Sequence, residues 1–263
     1  MSRYPIQVDG RDGPPLGMPA ARFLRDYWQK RPLLVRQAFP GFRSPIDADD
    51  LAGLACEPYA LSRLVIHDPV QDQWTVETGP FAEERFADLP ETDWTLLVQD
   101  VDKWHRDVAA VLAPFAFLPD WRIDDVMISY AAPDGSVGAH VDQYDVFLLQ
   151  AGGHRHWMID SRPGADGSFR PDQPLKLLQR FEPDEEWLLE PGDMLYLPPG
   201  MPHHGVACGE QRCLTWSIGL RAPSAAELAV DFAEHLAEAL PESLRYADPD
   251  LVPARTPGEI DGK

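Results

Sequence analysis

GAHVDQYDVFLLQAGGHRHWMID, residues 138–160, is the stretch on which the fold turns. Its two apolar runs, VFLLQA and HRHWMID, are separated by a Gly-Gly turn and read as consecutive strands. His140 and Asp142 stand two apart just before the first run. If the strand begins with them, both side chains project to one face. The same texture holds from residue 123 onward. DDVMISYAA, the turn PDGSVG, AHVD, VFLLQA, HRHWMID, PLKLL, EEWLLE, DMLYLP and RCLTWSIGLR follow one another with few helical signals. Roughly eight short strands at this spacing predict a small barrel or jelly roll.

Helices flank this β core, so the fold class expected is α+β. MPAARFLRDYWQKRP has Phe23, Leu24, Tyr27 and Trp28 at helical spacing, then gives way at Pro32 to a strand, LLVRQA. DADDLAGLA reads as a helix capped by an acidic residue, and LSRLVIHD and WTLLVQDV as buried strands. Trp104, Val108, Val111, Leu112 and Phe115 predict one amphipathic helix over 101–118. After Pro223 a helix returns, with Ser224 able to cap it and Glu227 three residues on. We therefore expect one globular domain over 1–222, with an α/β flank at 1–122 and the β core at 123–222, followed by a helix and a Pro-rich tail over 223–263.

Composition narrows the function classes. The formal charge is −20, from 43 acidic against 23 basic residues, which argues against direct binding to a nucleic-acid backbone and favours a basic protein partner. Three cysteines without CxxC spacing suggest neither a disulfide framework nor a thiolate zinc site. The first residues show no apolar signal core, and no run reaches the roughly 18 apolar residues of a membrane span. A cytoplasmic protein without membrane attachment is expected.

The second chemical signal is PGDMLYLPPGMPHHG, residues 191–205. Gly192, Pro198, Gly200 and His203 follow G-x5-P-x-G-x-x-H, the second sequence signature of the cupin barrel. With His140 and Asp142, His203 would complete two imidazoles and one carboxylate, the facial triad that leaves iron(II) open positions for co-substrate and oxygen. His204 is the rival. Adjacent strand residues face opposite ways, so only one of the pair can join, and the cupin spacing selects His203. His154 and His156 also stand two apart but have no carboxylate at matching spacing. Arg155 between them carries a permanently charged fork suited to a dicarboxylate, although a surface arginine near a turn is the plain alternative.

These motifs, together with FLRDYWQKRPLLVRQAF (23–39), MISYAAPDGSVGAHVDQYDVFLLQ (127–150) and SIGLRAPS, resemble the JmjC-type ribosomal oxygenases of the cupin-4 group. The likeness is strongest to the bacterial members that hydroxylate arginine in ribosomal protein L16. It implies a double-stranded β-helix, Fe(II) on His140, Asp142 and His203, and 2-oxoglutarate and O2 as co-substrates. It implies that Arg155 grips the distal carboxylate of 2-oxoglutarate with Ser129 as helper, and that the target is the β-carbon of an arginine in basic L16. Asp134, Gln143 and Tyr144 are candidates to hold a guanidinium. Two other readings stay open, a histidine-directed ribosomal hydroxylase and a metal-dependent cupin that acts on a small molecule without 2-oxoglutarate. The resemblance also implies a helical dimerisation region after RAPS; only its start is expected here, which leaves a homodimer in question.

Overall fold

The structure, a computed structural model, describes residues 6–162, 168–250, 252–253 and 258. The first half contributes β1 (Gln7–Asp9), α1 (Ala20–Asp26), β2 (Leu33–Arg36), α2 (Ala48–Cys56), β3 (Ser62–Asp68), β4 (Gln73–Thr78), α3 (Glu84–Ala87), β5 (Trp94–Val98), α4 (Val101–Trp104) and α5 (Arg106–Ala109). The β core follows as β6 (Ile123–Ala131), β7 (Asp145–Gly152), β8 (His154–Ile159), β9 (Glu185–Leu189), β10 (Met194–Leu197), β11 (His203–Cys208) and β12 (Cys213–Leu220). The chain divides into two compact units, 1–222 and 223–263, and the second is led by α6 (Ala225–Ala239).

A nine-stranded sheet runs β1-β2-β10-β7-β12-β6-β5-β3-β4, and a three-stranded sheet runs β11-β8-β9. The central strands read as unbroken apolar runs because both of their faces are covered. Phe147, Leu149, Trp216, Ile218, Val126 and Ile128 look outward into the main core with Phe23, Tyr27 and Phe115. Val146, Leu148, Leu195 and Leu197 look the other way, onto Trp157, Ile159 and Leu189 of the small sheet. The two sheets therefore enclose an interior of their own, which is the double-stranded β-helix. Strands of the N-terminal half extend the large sheet on both sides instead of forming a separate layer.

Gly205 permits the close approach of the sheet's own side chains. A Cβ there would sit 2.7 Å from ring atoms of Trp157, its partner across β8 and β11. The helix caps are local. Asp47 accepts from Asp49 N and Asp50 N at the start of α2, and Ser224 and Glu227 cap α6 reciprocally.

Three expectations need correction. His140 and Asp142 are not in a regular strand: Gly138 takes a left-handed φ of 78°, and only His140 makes a single antiparallel bridge, to His203. The region 101–118 is not one helix. His105 is extended at φ −127° and ψ 112°, and Pro114 cannot donate to the helix, so α4 and α5 lead into a 3-10 stretch, Ala110–Phe115. PLKLL is not a strand either; it contributes one bridge, Leu178 to Phe169. Its Leu177 instead packs into a small cluster with Val65, Trp74 and Leu97. Among the described residues, no helix is long and apolar enough to cross a membrane.

Asp145 ties the flank to the β core. It is fully buried and accepts from Tyr196 Oη at 2.6 Å, Gln29 Nε2 at 2.9 Å and Arg122 Nη2 at 3.0 Å. Burial outweighs these partners and raises its carboxyl pKa. Its removal would strand the half-buried Arg122 charge. Asp145→Ala is expected to lower unfolding free energy by about 3 kcal/mol in urea titration, and adding Arg122→Met should recover part of the loss. An unchanged midpoint for the single variant would contradict this role.

Candidate functional site

The interior between the sheets is lined by alternate residues of the same strands whose other faces build the core. Thr95 and Leu97 come from β5, Met127 and Ser129 from β6, Val146 and Leu148 from β7, and Thr215 and Ser217 from β12. The small sheet closes the pocket with Arg155 and Trp157 from β8 and His203 from β11. The burial alternation on β8 turns Arg155, Trp157 and Ile159 inward and His154, His156 and Met158 outward. On β11 His203 is inward and His204 outward, as opposite facing on a strand requires.

His140, Asp142 and His203 converge at the mouth of this pocket. One ligand atom from each lies within 4.8 Å of the others, an arrangement able to hold a metal ion. The two histidines reach it through the antiparallel bridge, in which each backbone N donates to the other's carbonyl at 3.0 Å. The Asp142 segment is pinned by Gly200 N, which donates to Asp142 O at 2.7 Å. Thus the Pro-Gly turn before β11 fixes the carboxylate as well as His203.

Hydrogen bonding sets both tautomers. His140 Nδ1 lies 3.0 Å from Gly138 O, and His203 Nδ1 lies 2.9 Å from Met201 O. A carbonyl only accepts, so each Nδ1 carries the proton and each Nε2 keeps its lone pair. Those Nε2 atoms stand 3.8 and 3.7 Å from Asp142 Oδ2. Burial, then the neighbouring His140, holds His203 well below the ordinary histidine pKa, so it stays neutral. Neutral imidazoles oriented by backbone acceptors are what a metal requires. His204 is excluded: its Nε2 is 3.0 Å from Ser136 Oγ, and burial pushes its pKa down to about 4.

Arg155 is 3% exposed, and its Nη2 has no hydrogen-bond partner. Its Nε donates to Cys213 Sγ at 3.4 Å, and its guanidinium lies 5.6 Å from the Trp157 ring centre. Among the described residues no carboxylate pairs with it. A buried cation in this state demands an anion. On the paired strands Arg155 faces Ala207 and His203 faces Ile159, four positions apart, or roughly 13 Å along the strand. Ser129 is buried in the same pocket and donates to Thr215 O at 3.4 Å.

The three residues suggested for a guanidinium are not brought together. Tyr144 lines the pocket, and burial with the nearby Asp142 raises its hydroxyl pKa. Gln143 is exposed, and Asp134 sits in a left-handed turn whose N–H donates to Ala207 O at 3.0 Å, away from the mouth. Asp125 was not singled out from sequence; it stands on the same alternation of β6 as Met127 and Ser129 but outside the residues that line the pocket, and its Oδ2 accepts from Asp100 N at 3.2 Å. Burial, and then Asp124, Asp100 and Asp102, push its carboxyl up to about 6. The signal available was one acidic residue on the alternation that places Met127 and Ser129. Thr215 and Ser217 were legible in the same way, as polar residues at alternate positions of the apolar run CLTWSIGL.

Residues 110–228 match the family model described as the JmjC domain. The chain is 44% identical over 240 residues to the Ribosomal protein uL16 3-hydroxylase of Escherichia coli, covering 90% of this chain and 62% of that protein. It is 38% identical over 230 residues to a Probable ribosomal oxygenase of Haemophilus influenzae, covering 87% of this chain and 54% of the relative. A solved structure of YcfD, a ribosomal oxygenase from Escherichia coli in complex with cobalt and 2-oxoglutarate, superposes with a TM-score of 0.76 at 42% identity, over 94% of this chain and 63% of that one. The chain spans less than two thirds of the length of these relatives.

Two outcomes follow. His140→Ala, Asp142→Ala and His203→Ala should each reduce Mn(II) affinity by at least about tenfold in calorimetric titration, whereas His204→Ala should not. Asp125 has a folded pKa above its unfolded value, so the stability it contributes is present below pH about 4 and is lost as pH rises through about 6. Asp125→Asn should therefore be more stable than the wild type in urea at pH 8, and the difference should vanish near pH 4. A variant less stable at pH 8 would contradict the burial cost.

Proposed function

We propose that this chain, which carries a JmjC domain, is an Fe(II)- and 2-oxoglutarate-dependent protein hydroxylase acting on an arginine side chain of large-subunit ribosomal protein uL16. The observation that carries the reading is the buried Arg155, whose Nη2 is unpartnered inside the pocket that leads to the three convergent ligands. A single site therefore offers a nitrogen-nitrogen-carboxylate set and, deeper in, an uncompensated cation. That combination suits iron(II) together with a dicarboxylate co-substrate.

In this reading His140, Asp142 and His203 hold the iron, which with 2-oxoglutarate and O2 supplies the power to place one oxygen atom in a C–H bond, releasing succinate and CO2. Arg155 neutralises the distal carboxylate of 2-oxoglutarate, and Ser129 offers a hydroxyl on the facing strand. Leu97, Met127, Val146 and Leu148 form the apolar walls that exclude water from this part of the pocket. At the mouth, Tyr144 faces the incoming side chain. Asp125, near Tyr144 and surrounded by acidic groups, adds negative charge that favours a guanidinium on this side of the pocket.

The similarity to the Escherichia coli uL16 3-hydroxylase supports this substrate, and so does charge. A chain of formal charge −20 is complementary to a basic ribosomal protein. Such a substrate places the reaction in the cytoplasm. The exposed Leu228, Val230, Phe232 and Leu236 of α6 fit a homodimer in which a second copy covers them.

The test is incubation with Fe(II), ascorbate, 2-oxoglutarate and uL16, followed by mass spectrometry. One arginine should gain about 16 Da, the mass of one oxygen atom, with matching succinate. A gain on histidine would overturn the arginine assignment, and turnover independent of 2-oxoglutarate would favour a metal-only cupin. Arg155→Ala should weaken 2-oxoglutarate binding by about 100-fold while Mn(II) binding is kept.

A further inference from the structure

Behind Arg155 the pocket floor is closed by three neutral side chains, Gln150 from β7 with Cys213 and Thr215 from β12. Gln150 and Cys213 are fully buried, and Thr215 is 1% exposed. Gln150 Nε2 donates to Cys213 Sγ at 3.2 Å, beside the Arg155 Nε donation to the same sulfur at 3.4 Å. Thr215 Oγ1 donates to Gln150 Oε1 at 3.2 Å, and Cys213 Sγ lies 3.8 Å from Thr215 Oγ1. Guanidinium and amide nitrogens only donate, so the sulfur is the acceptor for both. The threonine proton is committed to Gln150, which leaves the thiol proton to point at Thr215 Oγ1. The ring therefore closes with one proton order.

We propose that Cys213 is a positioning residue for the co-substrate's anchor: its sulfur, held by Gln150 and Thr215, orients the Arg155 fork while leaving its charge unspent. The chemistry of the acceptor matters. A carboxylate at 213 would pair with the guanidinium and occupy it, as fork-to-fork geometry favours. A thiol is a weak acceptor that satisfies Nε and carries no charge. Nη2 is thereby left without a protein partner, and the anion that completes the site is the distal carboxylate of a dicarboxylate ligand. The same ring explains why a glutamine flanked by Leu149 and Ala151 and a threonine flanked by Leu214 and Trp216 occupy fully buried positions of two strands. Their polar atoms are satisfied by one another, by the cysteine and by Gly152 O, to which Gln150 Nε2 donates at 2.7 Å, so none costs an unmet hydrogen bond.

The inference rests on the reading of Arg155 as the 2-oxoglutarate anchor, and the experiment separates the two. The full chain is loaded with Mn(II) and titrated calorimetrically with 2-oxoglutarate, and Mn(II) affinity is measured alongside. Cys213→Ala should weaken 2-oxoglutarate by about tenfold and leave Mn(II) affinity unchanged, and Cys213→Ser, which keeps an acceptor, should restore binding to within about threefold. A purely packing role would lower thermal stability without this split between ligand and metal and without rescue by serine. Thr215→Val, nearly the shape of threonine, breaks the ring from its far side and should weaken 2-oxoglutarate severalfold; it carries the test if Cys213→Ala does not fold. Wild-type affinity in Cys213→Ala, or in Thr215→Val where the first is unfolded, overturns the positioning role. A wild-type protein that binds Mn(II) but not 2-oxoglutarate overturns the anchor reading itself, and this inference with it.

Discussion

Burial of β7 and β12 on both faces is the constraint from which the rest of the structure follows. A strand in that position has to satisfy two environments with alternating residues. On β12, Leu214, Trp216, Ile218 and Leu220 belong to the main core, while Thr215 and Ser217 face the pocket. On β7, Phe147 and Leu149 face the core, and Val146 and Leu148 face the small sheet. A slip of one residue would exchange the two sets and destroy core and pocket together. The register that stabilises the fold is therefore the register that builds the site.

The pocket carries one charge that the protein itself does not balance. Arg155 has an unpartnered Nη2 and only a thiol at its Nε. Near it in cost is Asp125, which accepts from Asp100 N at 3.2 Å but is pushed up by burial and by the acids around it. Both arrangements cost stability in the free protein, in contrast to Asp145, which has three hydrogen-bond donors around it. Expense of this kind collects where ligands bind. On the proposed reading the uncompensated cation is the place of an anionic co-substrate, with His140, Asp142 and His203 as the candidate metal ligands of the same pocket.

Much of this was legible in the sequence, for reasons that can be stated residue by residue. His140, Asp142 and His203 were visible because a histidine-carboxylate pair and a Pro-Gly turn ending in histidine are local patterns, and the structure brings all three together. The same-strand argument for His140 and Asp142 was too simple, since Gly138 and the Gly200 contact hold them in an extended loop. The broken helix at His105 was hidden because Val101, Val108 and Phe115 are all buried at seven-residue spacing, which a continuous helix and a segment wrapped on the sheet share. Cys213 could not be read locally. Its meaning depends on which strands become neighbours, β12 against β7, and on the small sheet that lays Arg155 across them.

On the proposed reading, one pocket holds a metal on His140, Asp142 and His203 and a dicarboxylate on Arg155 at the same time. A crystal structure of the protein grown with Mn(II) and 2-oxoglutarate, phased to show anomalous scattering from manganese, tests it most directly. The account predicts one anomalous peak enclosed by the two Nε2 atoms and the Asp142 carboxylate, with the distal carboxylate of the ligand against Arg155 Nη2. Manganese at any other side chains, or a ligand whose distal carboxylate leaves Arg155 without contact, would contradict it.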